Sequence, residues 1–288
     1  MLKCRPIGVF DSGVGGLTVV EQLWKHLPYE SIVYFGDTAH VPYGSREVAE
    51  LISLADSITA FLVEKGCKVI IDACNTTSSV ALDSLKRKYQ IPVVGVVEPG
   101  AQAAVRASRG GKIGVIATEA TVKSEAYLRA LKRENPKAEV WMEACPLLVP
   151  LIEAGETHSL RAREAVYRYL QPLLRQGIDT LVYGCTHYPY LRDLVSEIAG
   201  VGVELVDPAE ATVLEVKALL AKNQALADAS CCCRQEFYVS GSPEAFYRTA
   251  TQLVGEGRLG PVTRADIFGP ELEVGGMALA KVGGAQSQ

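Results

Sequence analysis

Short runs of aliphatic and β-branched residues alternate along the chain with stretches whose apolar positions recur at helical spacing. Ile7-Gly8-Val9-Phe10 predicts a strand, and Leu17, Val20, Leu23, Trp24 and Leu27 then repeat as one face of a helix. Further strands are predicted over 31–35, 68–72 and 92–97, with Ser45 placed to cap a helix running to about residue 65 and another helix ending near residue 89. The pattern restarts at 112–116. Strands over 140–144 and 180–183 follow, with helices behind the loop 117–121, over 159–175 and after Pro189. A helix over 208–222 and a strand over 236–240 come last. Strands separated by helices in this way read as βαβ units and a parallel sheet. Right-handed crossovers would gather the loops that follow the strands on one rim.

Ile7-Gly8-Val9 recurs as Ile113-Gly114-Val115, and Cys74 recurs as Cys185 at nearly the same separation. Both triplets open a half, and both cysteines follow a strand late in that half. The expected fold is therefore α/β: two similar domains with mainly parallel sheets flanked by helices, related by a pseudo-two-fold, with a site in the cleft between them. The first domain would hold 1–97 plus 208–288, because the last helix and strand return to it, and the second would hold 98–207. The Gly/Ala/Gln-rich tail from Met277 reads as frayed.

Composition narrows the function. A length of 288 residues suits about two domains. With 48% hydrophobic and 22% charged residues the chain is globular rather than disordered. Its net charge of −4 argues against non-specific binding to nucleic acid. Apolar runs such as Val93-Val94-Gly95-Val96-Val97 fall far short of the ~18 residues that span a bilayer, so no membrane partner is expected. The opening MLKCRPIGVFDSG has no extended apolar region and no small-residue cleavage site, so a cytoplasmic chain is expected. The eight cysteines then read as reduced thiols. Cys4, Cys67 and Cys145 would pack as small hydrophobes. Cys231-Cys232-Cys233 has no nearby histidine and no C-x-x-C spacing, which points to a variable loop rather than a zinc site. No metal is expected.

Two loops carry the sharpest chemistry. Cys74-Asn75-Thr76 and Cys185-Thr186-His187 each follow a buried-type strand and precede a helix, where N–H groups favour a thiolate. One such cysteine could be a nucleophile or a core residue. Two, one per repeat, suggest thiols facing each other across a ligand, as inversion at a carbon requires: one side removes a proton and the other delivers one. His187 could be a core histidine or tune its thiol. Glu153, in an apolar segment, could point to solvent or assist acid–base chemistry. Tyr43-Gly44 after Pro42 is a turn that could also hold a carboxylate. Gly13-Val14-Gly15-Gly16 is not a dinucleotide fingerprint, because the third glycine would fall on Thr18. The loop is either an anion site or a tight turn, with Asp11 and Ser12 just beyond the strand.

The segments IGVFDSGVGGLTV (7–19), YFGDTAHVPYG (34–44), DACNTTS (72–78), VVGVVEPG (93–100), GVIATEATVKSEAY (114–127) and YGCTHYPYL (183–191) resemble those of glutamate racemases, of the aspartate/glutamate racemase family. The resemblance implies a cofactor-independent isomerase, a homodimer, that interconverts L- and D-glutamate and supplies D-glutamate for peptidoglycan. It implies Cys74 and Cys185 as the paired acid/base residues, serving the D-face and the L-face proton respectively. It implies Asp11, Ser12, Pro42, Tyr43, Gly44, Asn75, Thr76, Thr118, Thr121, Thr186 and His187 as substrate-holding residues, with Asp11, Glu153 and His187 assisting proton transfer. Ala117 departs from the glycine usual in the family before Thr118, a change confined to local loop fit. Nothing in the sequence marks a Schiff-base lysine. Three rival readings remain: a racemase for aspartate or another amino acid, a non-catalytic two-domain clamp for a small acid, and a thiol hydrolase using Cys185 with His187.

Overall fold

Two separate all-parallel sheets organise the computed structural model, which describes residues 2–268. The first holds β1 (Ile7–Asp11), β2 (Ile32–Gly36), β3 (Val69–Asp72) and β4 (Val93–Gly95). The second holds β5 (Lys112–Ala117), β6 (Glu139–Ala144), β7 (Thr180–Gly184) and β8 (Glu204–Val206). Late strands β9 (Gln235–Val239) and β10 (Val262–Arg264) then return to the first sheet. The strand orders are β10-β9-β2-β1-β3-β4 and β6-β5-β7-β8. Leaving β9 and β10 aside, both sheets run second, first, third, fourth, so the internal repeat seen in the sequence is a repeat of topology.

The repeated triplets occupy the central strands, with Ile7 paired to Ile32 and Val69, and Ile113 paired to Val140 and Thr180. The glycine of each triplet has the same cause. A Cβ on Gly8 would press on Cys67 and Ile70, and one on Gly114 would press on Ile178 and Leu181, the matching positions before and in β3 and β7. Each sheet is covered on both faces, which is why its inner strands, such as β1 and β3 of the first and β5 of the second, are dominated by buried apolar residues. Ile7, Val9 and Ile71 meet Val20, Leu23 and Val213 on one side, while Phe10 and Ile70 meet Ile58, Leu62 and Leu85 on the other. In the second sheet Ile113 and Val115 pack on Tyr127 and Leu131, and Ile116 lies in a cluster with Leu170 and Leu173 on the opposite side.

Several local expectations change. The strand predicted over 92–97 stops at Gly95, and the helix Val97–Ala107 begins at once. The Val96 N–H is taken by Ser78 Oγ at 3.0 Å, so a side chain replaces the sheet partner there. Ser45 caps no helix: Tyr43–Ser45 is a single 3₁₀ turn, and the helix is Val48–Glu64. The short strands β8 and β10 and the helices Leu148–Glu153 and Pro243–Val254 were not predicted, although Phe246, Ala250 and Val254 of the last recur at helical spacing.

The expectation of eight reduced thiols is also corrected. Cys4 and Cys231, 227 residues apart, form a disulfide, so Cys4 is not a packed hydrophobe and the Cys231–Cys233 run is anchored at its first residue. The two segments meet because buried Lys68 donates from Nζ to the carbonyls of both Lys3 and Ala225, at 2.6 and 2.8 Å. A sequence separation of that size hides such a pairing. Cys67, Cys74, Cys145 and Cys185 are buried free thiols, and Cys232 and Cys233 are exposed ones. No helix among the described residues is long and apolar enough to cross a membrane. The tail from Met277 lies outside the described residues.

Candidate active site

Parallel strands deliver their following loops to one end of each sheet, and the two ends face each other. Asp11 closes β1, Cys74 follows β3 by two residues, Thr118 follows β5 and Cys185 follows β7. Between them lies a cavity of about 100 Å³, lined from the first sheet by Ser12, Pro42, Tyr43, Gly44, Cys74, Asn75 and Thr76, and from the second by Thr118, Cys185, Thr186 and His187. Ser45, Glu119, Pro146 and Val149 complete the lining and were not anticipated. Asp11, Thr121 and Glu153 sit one layer behind, each bonded to a residue that does line it. A larger crevice of about 970 Å³, which includes Gln22, Arg192 and Asp207, contains neither central thiol, and its wall carries six carboxylates against three guanidinium groups. The small cavity is where the chemistry converges.

The two thiols have different surroundings. Cys74 is buried at the start of the helix Asn75–Val80. Burial, with the carboxylates of Asp11 and Asp72 nearby, pushes its thiol well above the usual range. Asp72 accepts the Thr77 hydroxyl at 2.6 Å, while its other oxygen has no partner; burial raises this carboxyl well above the usual aspartate value. Cys185 has a cationic partner available instead. His187 Nδ1 lies 3.9 Å from Cys185 Sγ, and Nε2 lies 2.7 Å from Glu153 Oε1. Burial by itself would push the imidazole down, but its contacts with Cys185 and Glu153 outweigh that and raise it well above the ordinary histidine value. Glu153 thus neither points idly to solvent nor lines the cavity; it orients the histidine.

The glycine loop after β1 serves the opposite sheet. A Cβ on Gly13 would come within 2.9 Å of Glu153 Oε1, and one on Gly15 within 2.5 Å of His187 Nδ1, closer still to Thr186 Oγ1. The loop is therefore bare so that Glu153, Thr186 and His187 of the other half can approach its backbone. Asp11 completes the join: its Oδ1 accepts the Thr186 hydroxyl at 3.0 Å and its Oδ2 accepts the Gly13 N–H at 3.0 Å.

Hydroxyls and amides line the rest. Thr76 and Thr118 bond across the cavity at 3.0 Å, and Thr118 bonds Thr121 at 3.0 Å. Tyr43 donates to Asp37, a fully buried carboxylate that also takes Ser240 Oγ at 2.6 Å and His40 Nδ1 at 2.7 Å. Asp37 therefore fixes the 42–45 turn to the end of β9. Asp37, Asp72, Tyr34 and Tyr127 were missed as supports, since each reads in sequence as an ordinary strand, strand-end or helix residue. Tyr34 is the backing of the glycine loop, donating to Gly13 O at 2.6 Å. Among the described residues no cluster of His, Cys, Asp and Glu is arranged to hold a metal. The arrangement is suited to proton transfer at two faces of a small acid: two buried thiols on one small cavity, one beside an imidazole, with donors that can hold an anion.

Comparison with known proteins agrees in sequence and in fold. A sequence profile described as Asp/Glu/Hydantoin racemase matches residues 18–216. A glutamate racemase of Desulforudis audaxviator is 48% identical over 255 residues, covering 86% of this chain and 93% of its own. Among solved structures, a glutamate racemase of Bacillus anthracis superposes with a TM-score of 0.86 at 36% identity, covering 91% of this chain and 97% of that one. The Francisella tularensis glutamate racemase in complex with D-glutamate gives a TM-score of 0.83 at 34% identity, covering 93% and 98%.

Proposed function

The chain belongs to the Asp/Glu/Hydantoin racemase family, and from that premise we propose that its cavity takes glutamate and inverts it at Cα, providing D-glutamate for peptidoglycan. The observation that carries the mechanism is the pair Cys74 and Cys185, set on equivalent loops of a repeated topology and lining one cavity. In one direction the Cys185 thiolate, beside the His187 imidazolium, takes the α-proton. The Cys74 thiol, kept protonated by burial and by neighbouring carboxylates, gives its own proton to the other face. The product leaves with inverted Cα, and the two sulfurs have exchanged protonation states; the reverse reaction restores them. We assign the first thiol to the D-face and the second to the L-face.

The α-proton is far less acidic than a thiol, so the developing carbanion needs its charge absorbed. The α-carboxylate takes that charge, and Ser12, Asn75, Thr76 and Thr186 are the donors placed to hold it. Tyr43, Gly44 and Thr118, with Pro42 shaping the turn, complete the substrate contacts, and Thr121 acts through its bond to Thr118. Asp11, Glu153 and His187 assist the proton transfers. Burial of the side chains that line the cavity strengthens each of these contacts. None of the residues lining it is a lysine that could hold a pyridoxal aldehyde, which supports a reaction carried by thiols without that cofactor. We also propose the division into 1–97 with 208–288 and 98–207, supported by the return of β9 and β10 to the first sheet. A homodimer in the cytoplasm is carried forward on the resemblance alone.

The test is circular dichroism of L-glutamate with no cofactor added, run in D₂O. Product is expected to carry α-deuterium while recovered substrate initially carries almost none, because separate thiols serve the two faces. Rapid early exchange into recovered substrate refutes the two-thiol reading. Cys74→Ser and Cys185→Ser are each expected to lower kcat by at least about a hundredfold. Indifference to Cys74→Ser would leave Cys185 with His187 as a lone nucleophile and overturn the proposal.

A further inference from the structure

Tyr127 lies outside the cavity yet bonds one of the residues that line it. It stands on the helix Ala126–Glu134, fully buried among Val97, Ala101 and Leu131 against the second sheet. Its hydroxyl reaches across to the first half of the chain and donates to Asn75 Oδ1 at 2.6 Å. Asn75 immediately follows Cys74 and lines the cavity. Among the described residues Tyr127 Oη has no second hydrogen-bond partner, and Asn75 Nδ2 has none at all. Gly100 packs beside this hydroxyl: a Cβ there would meet Pro208 Cγ at 2.9 Å and Tyr127 Oη at 3.3 Å.

A side-chain amide is nearly symmetric in shape and opposite in chemistry at its two ends: two N–H donors on one, two lone pairs on the other. Which end faces the cavity decides whether an anion there is attracted or repelled. Tyr127 has nowhere else to send its proton, and burial holds the phenol protonated. It must donate, and only the Asn75 oxygen can accept. Turning the amide over would let Nδ2–H donate to the phenol oxygen but leave the Tyr127 O–H without an acceptor in a buried place, a costly arrangement.

We propose that Tyr127 is a positioning residue that locks the Asn75 amide with Nδ2 toward the cavity, so that a substrate carboxylate meets N–H donors and never the carbonyl oxygen. The inference rests on the reading that Asn75 holds that carboxylate. It also makes carboxylate binding depend on contact between the two halves, because the lock and the amide belong to different sheets.

The experiment is a double-mutant cycle with Tyr127→Phe, Asn75→Ala and the double variant, each assayed in both directions by circular dichroism with thermal unfolding alongside. Phe keeps the ring and removes only the lock. Tyr127→Phe is expected to raise KM for both enantiomers by roughly tenfold, with a smaller fall in kcat, since loss of a hydrogen bond to a charged group is felt in binding. In the Asn75→Ala background the same change is expected to cost nothing further, which a general loosening of the fold would not produce. If Asn75→Ala is impaired while Tyr127→Phe is wild-type, or the two losses simply multiply, the lock is refuted and Asn75 keeps its role. If Asn75→Ala itself has wild-type kinetics, the carboxylate-holding reading falls, and the lock with it.

Discussion

Gly15→Ala adds one methyl group where the two halves of the site touch. The new Cβ would lie 2.5 Å from His187 Nδ1 and 2.8 Å from its Cε1, closer still to Thr186 Oγ1, whereas ordinary contact begins at 3.4 Å. The neighbours must retreat by about 1 Å. Neither is the free end of a long side chain. Thr186 Oγ1 is tied to Asp11 at 3.0 Å, and the buried His187 ring is tied to Glu153 at 2.7 Å. Rotating the threonine breaks its bond to Asp11, so the simplest relief is for the loop carrying Cys185 to back away from the first sheet. Overpacking of this kind costs about 1–3 kcal/mol of stability. Its effect on catalysis is larger in proportion, because a 1 Å displacement of a catalytic group costs on the order of a hundredfold in rate. That is about 2.7 kcal/mol in the activation barrier. The assay is kcat/KM for both enantiomers by circular dichroism, with urea unfolding to confirm that the variant is folded under assay conditions. A folded Gly15→Ala enzyme with wild-type kcat/KM would show that the close approach of loop to histidine is not part of the working site.

Glu153→Gln is expected to lower the His187 pKa, since Glu153 is one of the two groups that raise it, and to move the alkaline limb of kcat/KM to lower pH; an unmoved limb removes Glu153 from the proton path. The sign for stability agrees: a raised folded pKa gives a contribution that is full below about pH 6.5 and lost as pH rises through the folded value, so the variant should lose stability on the acid side first. Asp72→Asn is expected to stabilise the protein by about 1–3 kcal/mol near pH 8, where a buried carboxyl with an unpaired oxygen and a raised pKa weighs against folding, and to give no gain below about pH 3.8, where the group is protonated in both states. Equal urea midpoints for variant and wild type at both pH values would show that the carboxyl is solvated or paired. Cys4→Ser should leave kinetics unchanged and lower stability under non-reducing conditions by at most roughly 5 kcal/mol, the chain-entropy limit for so long a loop. Identical unfolding of wild type with and without reductant would show that the bridge does not form in solution.

The sequence by itself determined the periodic architecture and the two cysteine loops. Continuous aliphatic strands such as Val69–Asp72 and Thr180–Gly184 can only be buried on both faces, and the spacing between them leaves room for crossover helices. Both features are local, and the repeat of Ile-Gly-Val with a later cysteine marks them twice. What the tertiary structure decided is which distant side chains meet. Gly15 is bare because of Thr186 and His187, Glu153 bonds the His187 ring, Asp37 holds the Tyr43 turn to Ser240, and Cys4 bonds Cys231. Each of these partners lies on a different element, well separated along the chain. Local pattern encodes which face of an element is buried, whereas hydrogen-bond pairing between loops depends on how two sheets are set against each other, and no periodicity along one chain carries that angle.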